Sequence, residues 1–389
     1  FNSSHFNGTL MHKNMRKIQK ERLESLDILR GLDLFILVGF QSVFMYLAQA
    51  TGENNWIKTI FDVLFTHVEW EGFHLWDQVM PLFLFMAGTS IPYAMARYKR
   101  KEEEISGKLF YRVLKRVVLL WIFGAIVQGN LLDLNLNSLY LYTDTLQSIA
   151  MGYLFSVILF LSMPIKGLLI TFFILPFIYT TGMLLTGGYT PGNNLAELID
   201  RLVLGRFLYG ATVTASGDVV FADWYHISWI YSTLNFTATV LSGVLTGCLL
   251  QSSDSPQKKV RLLLLAVLVC FLISFALSWI EPIIKRLWTS SMMFLSTGIS
   301  VLLMLLSYYW IDIKKRGKNW KWLKIYGMNS ILAYMLFHTL NTVSLREFWL
   351  HGFEHLIGDY YPVLLELAHV SIIFFILLYC YRKRVFLKV

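Results

Sequence analysis

The sequence predicts an all-α fold, a polytopic membrane helix bundle of about ten transmembrane helices, and three observations carry that prediction. Apolar residues make up 56% of the 389-residue chain and charged residues only 15%, against about 45–50% and about 25% in soluble domains. Mean hydropathy is +0.54. The apolar residues also fall into runs of about 20, the helical length that crosses a ~30 Å hydrocarbon core. Such a composition excludes a disordered chain, a coiled coil, a collagen and a disulfide-stapled secreted domain. Cys248, Cys270 and Cys380 each lie inside an apolar run and read as buried thiols without a redox or zinc role.

Taken in order, the runs are 27–49, 75–96, 110–131, 144–162, 167–186, 227–250, 261–280, 287–310, 325–343 and 362–381. Their connections alternate in charge. One set carries Lys13, Arg16, Lys17, Lys20 and Arg22, then Arg97, Lys99, Arg100, Lys101, Lys108, Arg112, Lys115 and Arg116. It continues with Lys166, with Lys258, Lys259 and Arg261, with Lys314 through Lys324, and with Arg382, Lys383, Arg384 and Lys388. The other set is acidic: Glu53, Asp62, Glu69 and Glu71; Asp133; Glu197, Asp200, Asp218 and Asp223; Glu354 and Asp359. Lys58, Arg201, Arg206, Lys285, Arg286 and Arg346 are scattered exceptions. The positive-inside rule then puts both termini in the cytoplasm, with an even number of spans.

The net charge of +9 and pI near 9.3 are accounted for by those loops and by anionic lipid headgroups, so no nucleic-acid partner is expected. Residues 1–21 read as a cytoplasmic tail and 22–389 as the membrane domain. The first residues are polar and the first apolar run is too long for the core of a signal peptide. The chain opens on Phe1, which makes Met11 or Met15 candidate starts, and the sequon at Asn7-Gly8-Thr9 would not meet the glycosylation machinery from the cytoplasm. The outward stretches 50–74 and 188–226 are long and rich in Trp and Gly, which predicts ordered, interfacial structure. Gly243 and Gly247 form a GxxxG, a signal of close helix packing within the chain or in a homodimer.

Ionisable groups inside spans are expensive and mark function by default. Asp27, Arg30 and Asp33 are spaced by three on one helical face, so one guanidinium can serve two carboxylates, as a structural ion pair or as a phosphate handle. A second cluster runs His67-Val68-Glu69-Trp70-Glu71-Gly72-Phe73-His74 and on to Asp77, a helix-start carboxylate, and Pro81. On a helix over 67–77, His67, Glu71 and His74 would share a face, but HExxH is absent and Gly72 interrupts, so no metal site is predicted. Trp288-Thr289-Ser290-Ser291 and Gly327-Met328-Asn329-Ser330, with Tyr334 and His338, form the third polar group, of the kind that hydrogen-bonds neighbouring helices.

These blocks carry a resemblance. Arg22 through Gly31, His67-Val68-Glu69-Trp70-Glu71-Gly72, Asp77 through Pro81 with Phe83-Leu84-Phe85, Gly88-Thr89-Ser90-Ile91, Leu287 through Ser291, Gly327 through Leu332 and Tyr381 through Phe386 resemble, in order and spacing, the heparan-alpha-glucosaminide N-acetyltransferase family. The resemblance covers nearly everything from Arg22 to Val389. It implies an integral-membrane acyltransferase that moves an acetyl group from cytosolic acetyl-CoA to an amino sugar or glycan on the far side. The chain lacks the luminal domain of lysosomal members and is similar to the bacterial branch, which implies a bacterial cytoplasmic membrane.

By the same resemblance His67 is the active-site histidine, as general base or as nucleophile forming an acetyl-imidazole. Asp77 is expected to orient its ring through the other nitrogen, and Gln41 stands where lysosomal members have an Asn. Acetyl-CoA contacts are expected at Asp27, Arg30, Asp33, Trp288, Ser290, Asn329 and Ser330, with no metal. The chain departs from the family at Leu146-Gln147-Ser148-Ile149-Ala150, where many relatives have a cation, and at His226-Ile227-Ser228-Trp229, where many have Asp-Pro-Glu-Gly. The rival reading is a transporter or flippase for a glycan or lipid precursor, which would also use broken helices and intramembrane charge. A family member that has lost catalysis is the third.

Overall fold

The computed structural model describes residues 23–52, 55–100 and 106–387. The tail over 1–21, with its sequon, candidate starts and basic residues, lies outside the described residues, as do Arg22, Glu53, Lys101 and Lys388.

Helix α1 covers Glu24–Ala50, with a π-helical turn at Ile36–Phe40, and α2 covers Trp56–Leu64. A 3₁₀ turn at Leu75–Gln78 leads into α3, Val79–Lys99. Then come α4 (Gly107–Val127), α5 (Thr145–Ser162), α6 (Ile165–Leu185), α7 (Leu195–Leu204), α8 (Thr233–Gln251) and α9 (Pro256–Leu277). Helix α10, Ser290–Ser307, continues as a π-helix to Ile313. The chain closes with α11 (Lys321–Met328), α12 (Ser330–Thr339), α13 (Val343–Leu350) and α14 (Tyr361–Lys383).

Local chemistry sets several of these boundaries. Asp144 caps α5, accepting the Leu146 amide at 2.8 Å while Gln147 reaches back to the Asp144 amide at 3.1 Å. Ser255 caps α9 just before Pro256, whose missing N–H costs nothing at the first helical position. At the other ends, Lys99 donates to the Phe160 and Met163 carbonyls and Lys259 to the Leu250 carbonyl at 2.8 Å. Cations there complement the negative helix termini of α5 and α8.

Among the described residues, eight helices are long and apolar enough to cross a membrane. Two of the ten predicted runs, 110–131 and 325–343, are not among these eight. The run 110–131 is the 21-residue α4, but Lys108, Arg112, Lys115 and Arg116 fill its first half. All 21 residues together rise about 31 Å at 1.5 Å per residue. The run 325–343 is broken at Asn329, whose φ of −123° and ψ of 43° are not helical, into α11 and α12. A two-stranded ribbon, Thr212–Val213 against Val219–Val220, and α7 give the long 188–226 stretch its own order.

Helix α8 is the most enclosed of the spans and packs on α3, α5 and α6. Backbones approach so closely that a Cβ at Gly88 would strike the Val240 carbonyl, and one at Gly243 the Phe85 carbonyl. With Gly247 set against Thr89, the GxxxG face is occupied inside the chain by α3. Helices α1 and α11 meet in the same way, Gly31 on the Leu323 carbonyl and Gly327 on the Asp27 carbonyl.

Three of the six cationic exceptions in the acidic connections have partners outside the membrane spans or at their ends. Arg201 meets Glu197 at 3.5 Å, Arg206 meets Asn137 at 3.2 Å and Arg346 meets Glu366 at 2.9 Å.

Candidate active site

Residues 65–74 are irregular and not helical, so the shared helical face of His67, Glu71 and His74 does not form. The loop is folded by its own bonds. His74 Nδ1 lies 3.0 Å from the Thr66 carbonyl, and Gly72, at φ 128° where a side chain is strained, donates its amide to the Ile283 carbonyl at 2.8 Å. The turn into α3 then buries Asp77, 1% exposed. Its Oδ2 accepts the His74 amide at 2.9 Å, and its Oδ1 stands 2.7 Å from His67 Nδ1.

A third group closes on this pair. Lys285 Nζ is 3.4 Å from Asp77 Oδ1, 3.0 Å from His67 Nδ1 and 3.4 Å from His67 Nε2. Its segment, 281–289, is held firmly. Glu281 accepts the Ser290 amide at 2.9 Å and the Thr180 hydroxyl at 2.7 Å, and Thr289 Oγ1 accepts the Ile284 amide at 3.0 Å. Trp288 takes φ 53°, costly for a bulky residue, and is fixed there by its own amide on the Lys285 carbonyl at 2.9 Å and by Asn235 Nδ2 on its carbonyl at 2.8 Å.

The opposite wall comes from 225–230. Asp200 on α7 accepts the Trp229 and Ile230 amides at 2.6 and 2.8 Å, and the Ser228 amide donates to the Arg286 carbonyl at 3.0 Å. His226 Nδ1 stands 3.1 Å from Glu197 Oε2. These walls enclose a cavity of about 380 Å³ lined by His67, Asp77, Lys285 and Arg286, by His226, and by Tyr209, Trp224, Trp229 and Trp288.

All contacts on Asp77 come from groups able to donate, so His67 carries its proton on Nδ1 and keeps the Nε2 lone pair. Desolvation holds the His67 pKa below its ordinary value; the Asp77 hydrogen bond opposes that shift, and the Lys285 and Arg286 charges reinforce it. Burial brings Lys285 down to about 8, against the pull of Asp77. The arrangement joins an oriented base to an adjacent cation, a pair suited to attack on a carbonyl and to holding the oxyanion that forms.

A second cavity, about 350 Å³, lies towards the other end of α3. Arg30, Arg116, Ser90, Ala94, Ser330, Tyr334 and Leu387 line it, and Arg116 lies 4.2 Å over the Tyr153 ring. Thr145 lines both cavities. From Met80 in the first to Ala94 in the second, α3 rises about 21 Å at 1.5 Å per residue.

The structure therefore brings His67 and Asp77 together with Trp288, and sets Arg30 with Ser330. The other sequence-predicted site residues lie elsewhere. Asp27 and Asp33 are buried on α1 and line neither cavity. Gln41 is half-buried at the end of the π-turn and is absent from both linings. Ser290 binds Glu281 and Thr180 behind Trp288. Asn329 donates to the Val385 carbonyl at 3.1 Å and accepts the Leu387 amide at 3.1 Å, which makes it an anchor for the C-terminal segment.

Lys285, Arg286, His226, Arg116 and Thr145 line the cavities without having been singled out as site residues. A signal existed for the first two: they are cations out of place in an acidic connection. Thr145 carried none.

No protein-family model matches this chain, and no curated protein is significantly similar to it.

Proposed function

We propose that this chain is an integral-membrane acetyltransferase of the heparan-alpha-glucosaminide N-acetyltransferase type, moving acetyl from acetyl-CoA to an amino sugar or glycan. The supporting observation is the 2.7 Å His67–Asp77 hydrogen bond in a cavity that shares the lining residue Thr145 with a second one bearing Arg30 and Arg116. Phosphates of CoA pair with the two guanidiniums, which favour such oxyanions. The pantetheine arm runs along α3 past Thr145 and presents the thioester to His67. Lys285, beside Nε2, stabilises the oxyanion that develops on the thioester carbonyl. The aromatic rings of Tyr209, Trp224 and Trp229 offer flat faces for a sugar. By charge asymmetry the second cavity faces the cytoplasm and the first faces outward, with the protein in a bacterial cytoplasmic membrane.

The test uses the detergent-purified full chain with labelled acetyl-CoA and glucosamine. His67→Ala should stay folded and bind CoA while losing transfer by about 10²–10⁴-fold. His351→Ala, at an exposed histidine far along the chain, is the control. An active wild type and a His67→Ala variant of equal rate would sink the mechanism. Accumulation of a labelled glycan in vesicles without acetylation would favour the transporter instead.

A further inference from the structure

Two histidines with carboxylate partners line the cavity, and the mechanism above uses only one. We infer that His226 is a second general base, which deprotonates the acceptor amine while His67 carries the acetyl group. This inference rests on the acetyltransferase reading.

Glu197 is 4% exposed, and each of its contacts is with a donor. It takes the Gly192 amide at 3.1 and 3.2 Å, Asn194 Nδ2 at 2.8 Å and Arg201 at 3.5 Å, besides His226 Nδ1 at 3.1 Å. Those donors satisfy the carboxylate without His226, so the histidine is not needed there to neutralise it. What the carboxylate does is fix the ring: with Nδ1–H directed at Glu197, the lone pair sits on Nε2, and no described residue hydrogen-bonds Nε2. The imidazole is 18% exposed and lines the cavity. Trp70, three residues after His67, sets its ring edge-on to His226 at 5.9 Å, so the loop bearing one histidine touches the other.

The chemistry requires such a group. His67 Nε2 attacks the thioester carbon, the C–S bond breaks, and CoA leaves as thiolate. The product is an acetyl-imidazolium whose Nδ1–H remains on Asp77, and it has no lone pair left. An amino sugar arrives as an ammonium and cannot attack until it loses a proton. Lys285 already bears its own proton, and Asp77 is engaged by three donors. His226 Nε2 takes the proton. The amine then attacks the acetyl carbon, the carbon–Nε2 bond breaks, and neutral His67 returns. The new amide sheds its second proton to the CoA thiolate, and His226 releases the first to solvent.

Three reactions of the purified full chain separate the roles. Exchange of labelled CoA into acetyl-CoA needs only the His67 half. Acetylation of glucosamine needs both halves. Acetylation of hydroxylamine, unprotonated at neutral pH, needs no base for its nucleophile. His226→Gln keeps a donor for Glu197 and lacks a basic nitrogen. It should exchange within about threefold of wild type, lose glucosamine transfer by about 10²-fold or more, and lose far less with hydroxylamine. Glucosamine transfer near the wild-type rate would overturn the inference. So would loss of all three reactions together, which marks a structural role, or wild-type transfer without exchange, which leaves His67 free to act as the only base. A wild type that exchanges but leaves glucosamine untouched overturns the amine acceptor. A wild type inactive in all three overturns the acetyltransferase reading itself.

Discussion

Tyr334 donates its hydroxyl to Asp144 Oδ2 at 2.8 Å, and this bond lies between the linings of the two cavities. Tyr334 lines the second, while Thr143 and Thr145 on either side of Asp144 line the first. It thereby ties the broken-helix unit α12 to the capped start of α5. Tyr334→Phe leaves a buried carboxylate oxygen without its partner, which costs about 1–3 kcal/mol. Thermal unfolding in detergent should register the loss. An unchanged midpoint would mean that the α5 cap stands without it.

Asp77→Asn keeps the shape of the turn but leaves one acceptor oxygen for two donors, so with that oxygen on the His74 amide the new NH2 faces His67 Nδ1 and drives the ring proton to Nε2. Transfer should fall by about 10²–10⁴-fold with CoA affinity retained, read as a kcat effect. A loss confined to KM would put Asp77 in binding.

Lys285 sets the pH response. His67 acts as a base only when neutral, and its pKa is held below the ordinary value, so the rate should fall as the pH drops through that lowered pKa. On the other side Lys285 loses its charge above about 8, and the rate should decline there. In Lys285→Met one of the charges that disfavour imidazolium is gone, so the acidic limb should move to higher pH and the basic limb should vanish. Single-turnover consumption of acetyl-CoA, which involves no amine, gives the profile. An unshifted acidic limb would remove Lys285 from the site's electrostatics.

Arg30→Lys retains charge and loses the two-pronged fork, and Arg116→Gln removes charge altogether. Each should weaken CoA binding, by about tenfold for a lost phosphate contact of 1.4 kcal/mol. Wild-type affinity in the folded variants would leave the arginines a packing role.

Orientation follows from impermeant thiol labelling in intact cells, on a background freed of Cys248, Cys270 and Cys380. A cysteine at Asn193 should react and one at Ser106 should not; both positions are exposed. The reverse pattern would invert the assignment.

Eight spans were legible in the sequence because length and apolarity are local properties, summed over about 20 neighbouring residues. The α4 and α11–α12 runs differ from the other eight in ways that such a sum does not register. Lys115 and Arg116 sit amid apolar residues, and the break at Asn329 is a backbone angle that no window of hydropathy registers. The His67–Asp77 contact was within reach, since ten residues joined by a turn can meet. Lys285 comes from 218 residues away, a separation that only packing closes. Asp33 looked like half of an ion-pair site and is instead buried with Oδ2 lacking a hydrogen-bond partner among the described residues.

Asn329 grips the backbone at Val385 and Leu387, and Leu387 forms part of the wall around Arg30. Residues 385–387 are therefore a panel in the wall of the second cavity, latched by one side chain. An affinity tag fused there, or a truncation before Val385, would act as a mutation of that cavity, and a purification handle is better placed on the exposed ribbon between Thr214 and Asp218.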